Sequence, residues 1–201
     1  MKKMIFIFIL LLVCQLDAKK LYFDLGIGFD HTRTRYLKNE KIEFLDGRPP
    51  HDYATFPNFS LSLGYRFSEK FVFISDFQTI NLNGKMSYKY KSNSSGNIWH
   101  ENTELCPLYY IGIGPIYYPN PSIQLGFAFG IPWTTPSLGN GFLDLGGGLK
   151  GSVAYEIYKK DKTNILLGYR LFLAEMVLLF DLSQFKSYSL ISNGLFIKLN
   201  Y

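Results

Sequence analysis

Three histidines each stand next to an acid: His31 beside Asp30, His51 beside Asp52 and His100 beside Glu101. An imidazole next to a carboxylate is the raw material of a metal site or a general base. None of the three has the His-x-x-x-His or Cys-x-x-Cys spacing that one element needs to present two ligands together, so no metal and no cofactor is expected. His100 with Ser94 or Ser95 is the best candidate for nucleophilic chemistry. It lies in a polar loop stretch that cannot hold a triad rigid, so no catalytic residue is assigned and the chain is not read as an enzyme. Gly146, Gly147 and Gly148 lack the following Lys-Ser/Thr of a phosphate loop, and read as a strand kink or as close packing.

A second set of charges gains meaning only from the elements that position it. The chain has 201 residues, 47% hydrophobic and 18% charged, with 18 Phe, 15 Tyr and 18 Gly. Disordered chains lack such aromatics, and helical bundles favour Ala, Glu, Lys and Leu, so a β-rich protein is expected. Lys2 and Lys3 precede an apolar run of eleven residues, Met4 to Cys14, and Ala18 offers a small-residue cleavage site. That run is too short to span a membrane, which takes about 20 residues. Residues 1–18 therefore read as a secretory signal peptide and 19–201 as one domain. Val13 stands where a lipobox carries Gly, Ala or Ser, which argues against a lipid anchor on Cys14. Loss of Lys2, Lys3 and Asp17 leaves 19 bases and 15 acids, a scattered charge of +4 that does not suit nucleic acid. Cys106 alone cannot form an internal disulfide, and reads as a small hydrophobe.

Apolar residues then fall on every second position. Leu21, Phe23, Leu25, Ile27 and Phe29 alternate with Tyr22, Asp24, Gly26, Gly28 and Asp30, which predicts a strand with one apolar face. The same rule governs 59–67, 123–131 and 165–173, and more weakly 71–77, 105–117, 143–157 and 191–201, giving eight strands. The opposite face is small: Ser60, Ser62 and Gly64; Gly112 and Gly114; Gln124, Gly126, Ala128 and Gly130. Small residues fit the crowded inside of an eight-stranded barrel, which turns Phe23, Leu25, Ile27, Leu61, Leu63, Leu125, Phe127, Leu167, Leu171 and Ile197 outward to lipid. Connections alternate in length. Short links at 68–70, 118–121 and 159–163 alternate with long ones at 30–57, 81–104, 132–141 and 175–188, the last of which could in part prolong a strand.

The terminal alternation Leu195, Ile197, Leu199 and Tyr201 resembles the C-terminal assembly signal of outer-membrane barrels. With the leader and the strand rhythm, the mature chain resembles the small eight-stranded outer-membrane β-barrel family of OmpA-transmembrane, OmpX and opacity-protein type. The resemblance implies an all-β, antiparallel, up-and-down transmembrane barrel in the bacterial outer membrane. It also implies short turns in the periplasm and long loops outside, with lipid and lipopolysaccharide as neighbours. Strand parity sends Asp24, Asp76, Asp144 and Glu156 inward with Arg66, Lys150, Arg170 and Lys198, and predicts an ion-pair network plugging the lumen, with Asp24 near Lys198 and Arg66. Tyr109, Tyr110, Tyr117, Tyr118 and Trp133 suit an aromatic girdle. The function expected is structural or surface-interacting, adhesin-like, exerted by a monomer through its loops on a host or envelope partner. A lipid A-modifying barrel enzyme and an exported, soluble, lipocalin-like barrel are the alternatives.

Overall fold

The computed structural model describes residues 20–36, 42–46, 52–80, 84–92, 98–105, 107–134, 144–161, 163–178 and 187–201. The leader, Cys106 and His51 lie outside them. The described strands are β1 (Leu21–Tyr36), β2 (Ile42–Asp46), β3 (Asp52–Arg66), β4 (Phe71–Ile80), β5 (Gly84–Ser92), β6 (Ile98–Leu105), β7 (Leu108–Asn120), β8 (Ile123–Thr134), β9 (Asp144–Lys160), β10 (Thr163–Leu178) and β11 (Ser187–Asn200). Eight of them close a barrel in the order β1-β3-β4-β7-β8-β9-β10-β11, with β11 back on β1 and every pair antiparallel. Among the described residues no helix is long and apolar enough to cross a membrane.

Closure determines which face of each strand is inside. Along β1, Tyr22, Asp24, Gly26, Gly28, Asp30 and Thr32 are buried, whereas Leu21, Phe23, Leu25, Ile27 and Phe29 are exposed. An eight-stranded cylinder is only wide enough for its own inward side chains, so the small and polar alternate residues occupy it and the bulky ones project outward. Gly114 and Gly130 show the pressure for small residues, since a Cβ on either would run into the backbone of the neighbouring strand, at Phe127 and Ile111 respectively.

Two expectations need correction. The connections 30–57 and 81–104 are not simple loops, because β1 runs on to Tyr36, β3 begins at Asp52, and β2, β5 and β6 form a separate sheet ordered β2-β5-β6. The alternation of Met86, Tyr88 and Tyr90 with Lys85, Ser87 and Lys89 favours strand there too, and antiparallel partners supply the hydrogen bonds. His31 and His100 are likewise on strands rather than in loops, His31 on β1, where it is exposed on the outer face, and His100 on β6 opposite Lys89. The unsettled stretch after Glu175 continues β10 as far as Leu178. With 16 residues each, β1 and β10 exceed the roughly 9–11 that a tilted strand needs to cross a bilayer, so the barrel wall rises beyond the hydrocarbon at the long-loop end.

Candidate functional site

The lumen is stacked in layers. At the end carrying the tight turns, Tyr22, Val72, Ile74 and Ile116 form a buried apolar cluster with Tyr118 packed on it. At the opposite end Ile80, Leu108, Tyr110, Phe172, Ala174, Met176 and Leu190 form another, with the rings of Tyr110 and Phe172 edge to face at 5.0 Å. Three ion pairs lie between these plugs. Lys198 Nζ donates to Asp24 Oδ2 at 2.9 Å, Lys150 Nζ to Asp76 Oδ2 at 2.7 Å, and Arg170 grips Asp30 with Nη2 to Oδ2 at 2.7 Å and Nε to Oδ1 at 3.0 Å.

Each carboxylate has a second donor, as charges taken out of water require. Tyr22 donates its hydroxyl to Asp24 at 2.7 Å, Ser62 to Asp76 at 2.9 Å, and the Asn58 amide to Asp30 at 2.7 Å. Gln124 cross-links the turn-end plug, donating from Nε2 to the hydroxyls of Tyr22 and Tyr118, and Tyr22 joins that plug to Asp24. Phe196 lies between two of the cations, its ring centroid 5.5 Å from Lys198 Nζ and 5.9 Å from Arg170 Cζ. The space left among the three pairs is a cavity of about 20 Å³, enough for roughly one water.

Not every inward charge takes part. Arg66 does not join Asp24: its guanidinium lies over Tyr118 at 5.1 Å and Tyr22 at 6.0 Å, and Nη1 donates to the Glu69 carbonyl at 3.4 Å. Asp24 stands in register with Ser62, and Arg66 is four residues further along β3, about 13 Å at strand rise. Glu156 is half-buried with Oε2 unpartnered. The Asp144 side chain lies outside the described residues.

Asp30, at the inward parity of the first strand and at the start of a long connection, is the member missing from the network expected from sequence. Continuing the parity of β1 past Gly28 would have found it. Neighbours on a strand point to opposite faces, so the Asp30 carboxylate goes to Arg170 inside while His31 faces out, and the two cannot form one site. Gly28 allows the contact, because a Cβ there would stand 2.6 Å from Arg170 Nη2. Gly148 similarly makes room for Phe172 and Tyr110.

The outside is the inverse of the lumen. Phe23, Leu25, Ile27, Leu63, Leu125, Phe127, Leu167, Leu171 and Ile197 are exposed on the outer face and Leu61 is half-exposed, with Leu195, Leu199 and Tyr201 continuing the row along the last strand. Aromatic contacts band this surface at both ends: Phe77, Tyr109 and Trp133 towards the long connections, with Tyr109 and Trp133 stacked at 5.7 Å, and Phe71 with Tyr117 at 4.9 Å towards the turns. Tyr110 and Tyr118 are not part of the girdle, because they have inward parity and fill the lumen. A soluble lipocalin-like barrel is excluded by the same inversion, since its apolar face would line an interior that here holds charges.

A closed eight-stranded antiparallel barrel with an apolar, aromatic-banded exterior and a packed, ion-paired interior is a transmembrane β-barrel of the small outer-membrane class. The fold is similar to that of Neisserial surface protein A, NspA, with a TM-score of 0.53 and 16% identity over 90% of this chain and 95% of that one. It is also similar to Ail, the attachment invasion locus protein of Yersinia pestis in complex with the heparin analogue sucrose octasulfate, with a TM-score of 0.51 and 11% identity over 90% of this chain and 99% of that one. No protein-family profile and no curated protein matches the sequence.

Proposed function

We propose that this protein works in the outer membrane of a Gram-negative bacterium as a monomeric, non-catalytic barrel. Its role is structural or adhesin-like, and is exerted by what it holds outside the membrane. The observation that carries this reading is the packed lumen: among the described residues, two apolar plugs flank three ion pairs around space for about one water, the filling expected of a barrel that does not conduct solutes. The partner-facing part is then the long-connection end, where β1 and β10 rise past the bilayer and β2-β5-β6 builds a second sheet. The paired inward charges, Asp24 with Lys198, Asp76 with Lys150 and Asp30 with Arg170, serve rigidity rather than transport. The outward apolar set contacts lipid, the outer rim meets lipopolysaccharide, and the Leu195, Ile197, Leu199 and Tyr201 row serves as the assembly signal. Residues 1–18 act as the export leader.

Planar-bilayer recording of the purified barrel tests the packed lumen, with no stable large openings expected; stable open channels would overturn it. For the surface role, sulfated polysaccharide, the class represented by the heparin analogue held by Ail, is the first probe. Cells displaying the barrel should be retained on a heparin surface, and removal of 84–105 should abolish retention while leaving the heat-dependent gel mobility of a folded barrel. Equal retention with and without that hairpin would overturn its role.

A further inference from the structure

At the turn end of the barrel the outer wall carries an open groove of about 580 Å³, lined by Tyr158, Lys160, Asp161, Thr163, Ile165, Leu199 and Tyr201. A β-bulge builds it. On β9, Glu156 pairs with Leu166 and Tyr158 with Ile165, so Ile157 is an extra residue that inverts the parity of everything after it. Without the bulge, Tyr158 and Lys160 would share the inward side of Glu156. With it they stand on the lipid side, Tyr158 beside Ile165 and Lys160 beside Thr163. Ile165 is in turn beside Leu199, and Leu199 beside Leu25, so an apolar row runs from the groove onto the hydrocarbon-facing wall. Asp161, at φ 52°, follows Lys160 and lines the same groove, so an acid and a base both face it.

We infer that this groove binds one phospholipid of the leaflet at the turn end, with its phosphate at Lys160, its headgroup amine at Asp161 and an acyl chain along Ile165 and Leu199. Charges of both signs over an apolar floor, flanked by the aromatic rings of Tyr158 and Tyr201, match a zwitterionic ethanolamine headgroup better than a purely anionic one. The inference rests on the membrane reading above.

Native mass spectrometry of the full-length barrel, released from nanodiscs that contain phosphatidylethanolamine and phosphatidylglycerol in equal amounts, tests it. Wild type should keep one phospholipid, with the ethanolamine lipid favoured. Lys160→Gln should lower retention about fivefold, the equivalent of about 1 kcal/mol for one cation at a phosphate surface. Asp161→Asn, which tolerates the same backbone angle, should erase the preference between the two lipids. Lys70→Gln, at a different turn, should change neither. No retained lipid, equal loss in Lys160→Gln and Lys70→Gln, or an unchanged preference in Asp161→Asn would each overturn the site. A barrel that fails to enter nanodiscs would instead overturn the membrane reading.

Discussion

The two faces of one strand contrast sharply. On β10, Leu166, Arg170, Phe172, Ala174 and Met176 are buried in the lumen, and Leu167, Tyr169, Leu171 and Leu173 are exposed on the wall. The exposed face is the more uniformly apolar of the two, whereas the buried face carries the guanidinium of Arg170, only 2% exposed. In a water-soluble protein both facts would be costly; with hydrocarbon as the outer solvent they are both expected. The inside is held by paired charges and hydroxyls, and the outside presents apolar area to hydrocarbon. Substitutions on the two faces should therefore fail for different reasons.

The largest effect is expected at Asp30→Ala, which strands the Arg170 charge in the lumen. It should cost about 3–5 kcal/mol in urea unfolding from lipid vesicles, and Asp30→Asn combined with Arg170→Met should recover most of that. If the single and double variants unfold alike, the pair is not what stabilises the lumen. Next comes the wall. Leu167→Arg should destabilise by about 2–4 kcal/mol in the same vesicles, whereas Lys70→Gln at an exposed turn should stay within about 0.5 kcal/mol. Equal effects at the two sites would refute the outward facing of β10. Gly28→Ala tests crowding rather than charge: the methyl must displace Arg170 Nη2, for about 1–3 kcal/mol, and an insensitive variant would show that the guanidinium has room to move. The smallest is Thr32→Val, which removes the 2.8 Å hydroxyl contact with Ser192 for about 1 kcal/mol.

Much of this is legible in the sequence. Phe23, Leu25, Leu125 and Leu167 fall on the outer wall by period two together with the small residues opposite them, because the alternation of a strand survives any particular register. The inward parity of Lys198 and Asp24 came from the same rule, and their adjacency needed only the first strand to close on the last. Arg66 shows where the rule stops. Parity states a face but not a height, and four residues of height put it over tyrosine rings instead of Asp24. Tyr110 and Tyr118 show the rule outweighing composition, since tyrosine is at home both in a membrane girdle and in a lumen, and only their parity with Gly112 and Gly114 puts them inside.

Taken alone, then, the chain determined an all-β barrel of eight crossing strands, the identity of its apolar wall, and the stock of charges available for the inside. Those follow from local alternation and turn chemistry, which each segment carries in itself. The tertiary structure decided which acid meets which base, that Asp30 is the carboxylate Arg170 takes, that parts of the first two long connections fold into a sheet of their own, and that one bulged residue turns Lys160 to the outer face. The pairing of acids and bases depends on stagger between strands far apart in sequence, set only when the cylinder closes, while the bulge and the second sheet depend on register, which period two leaves open.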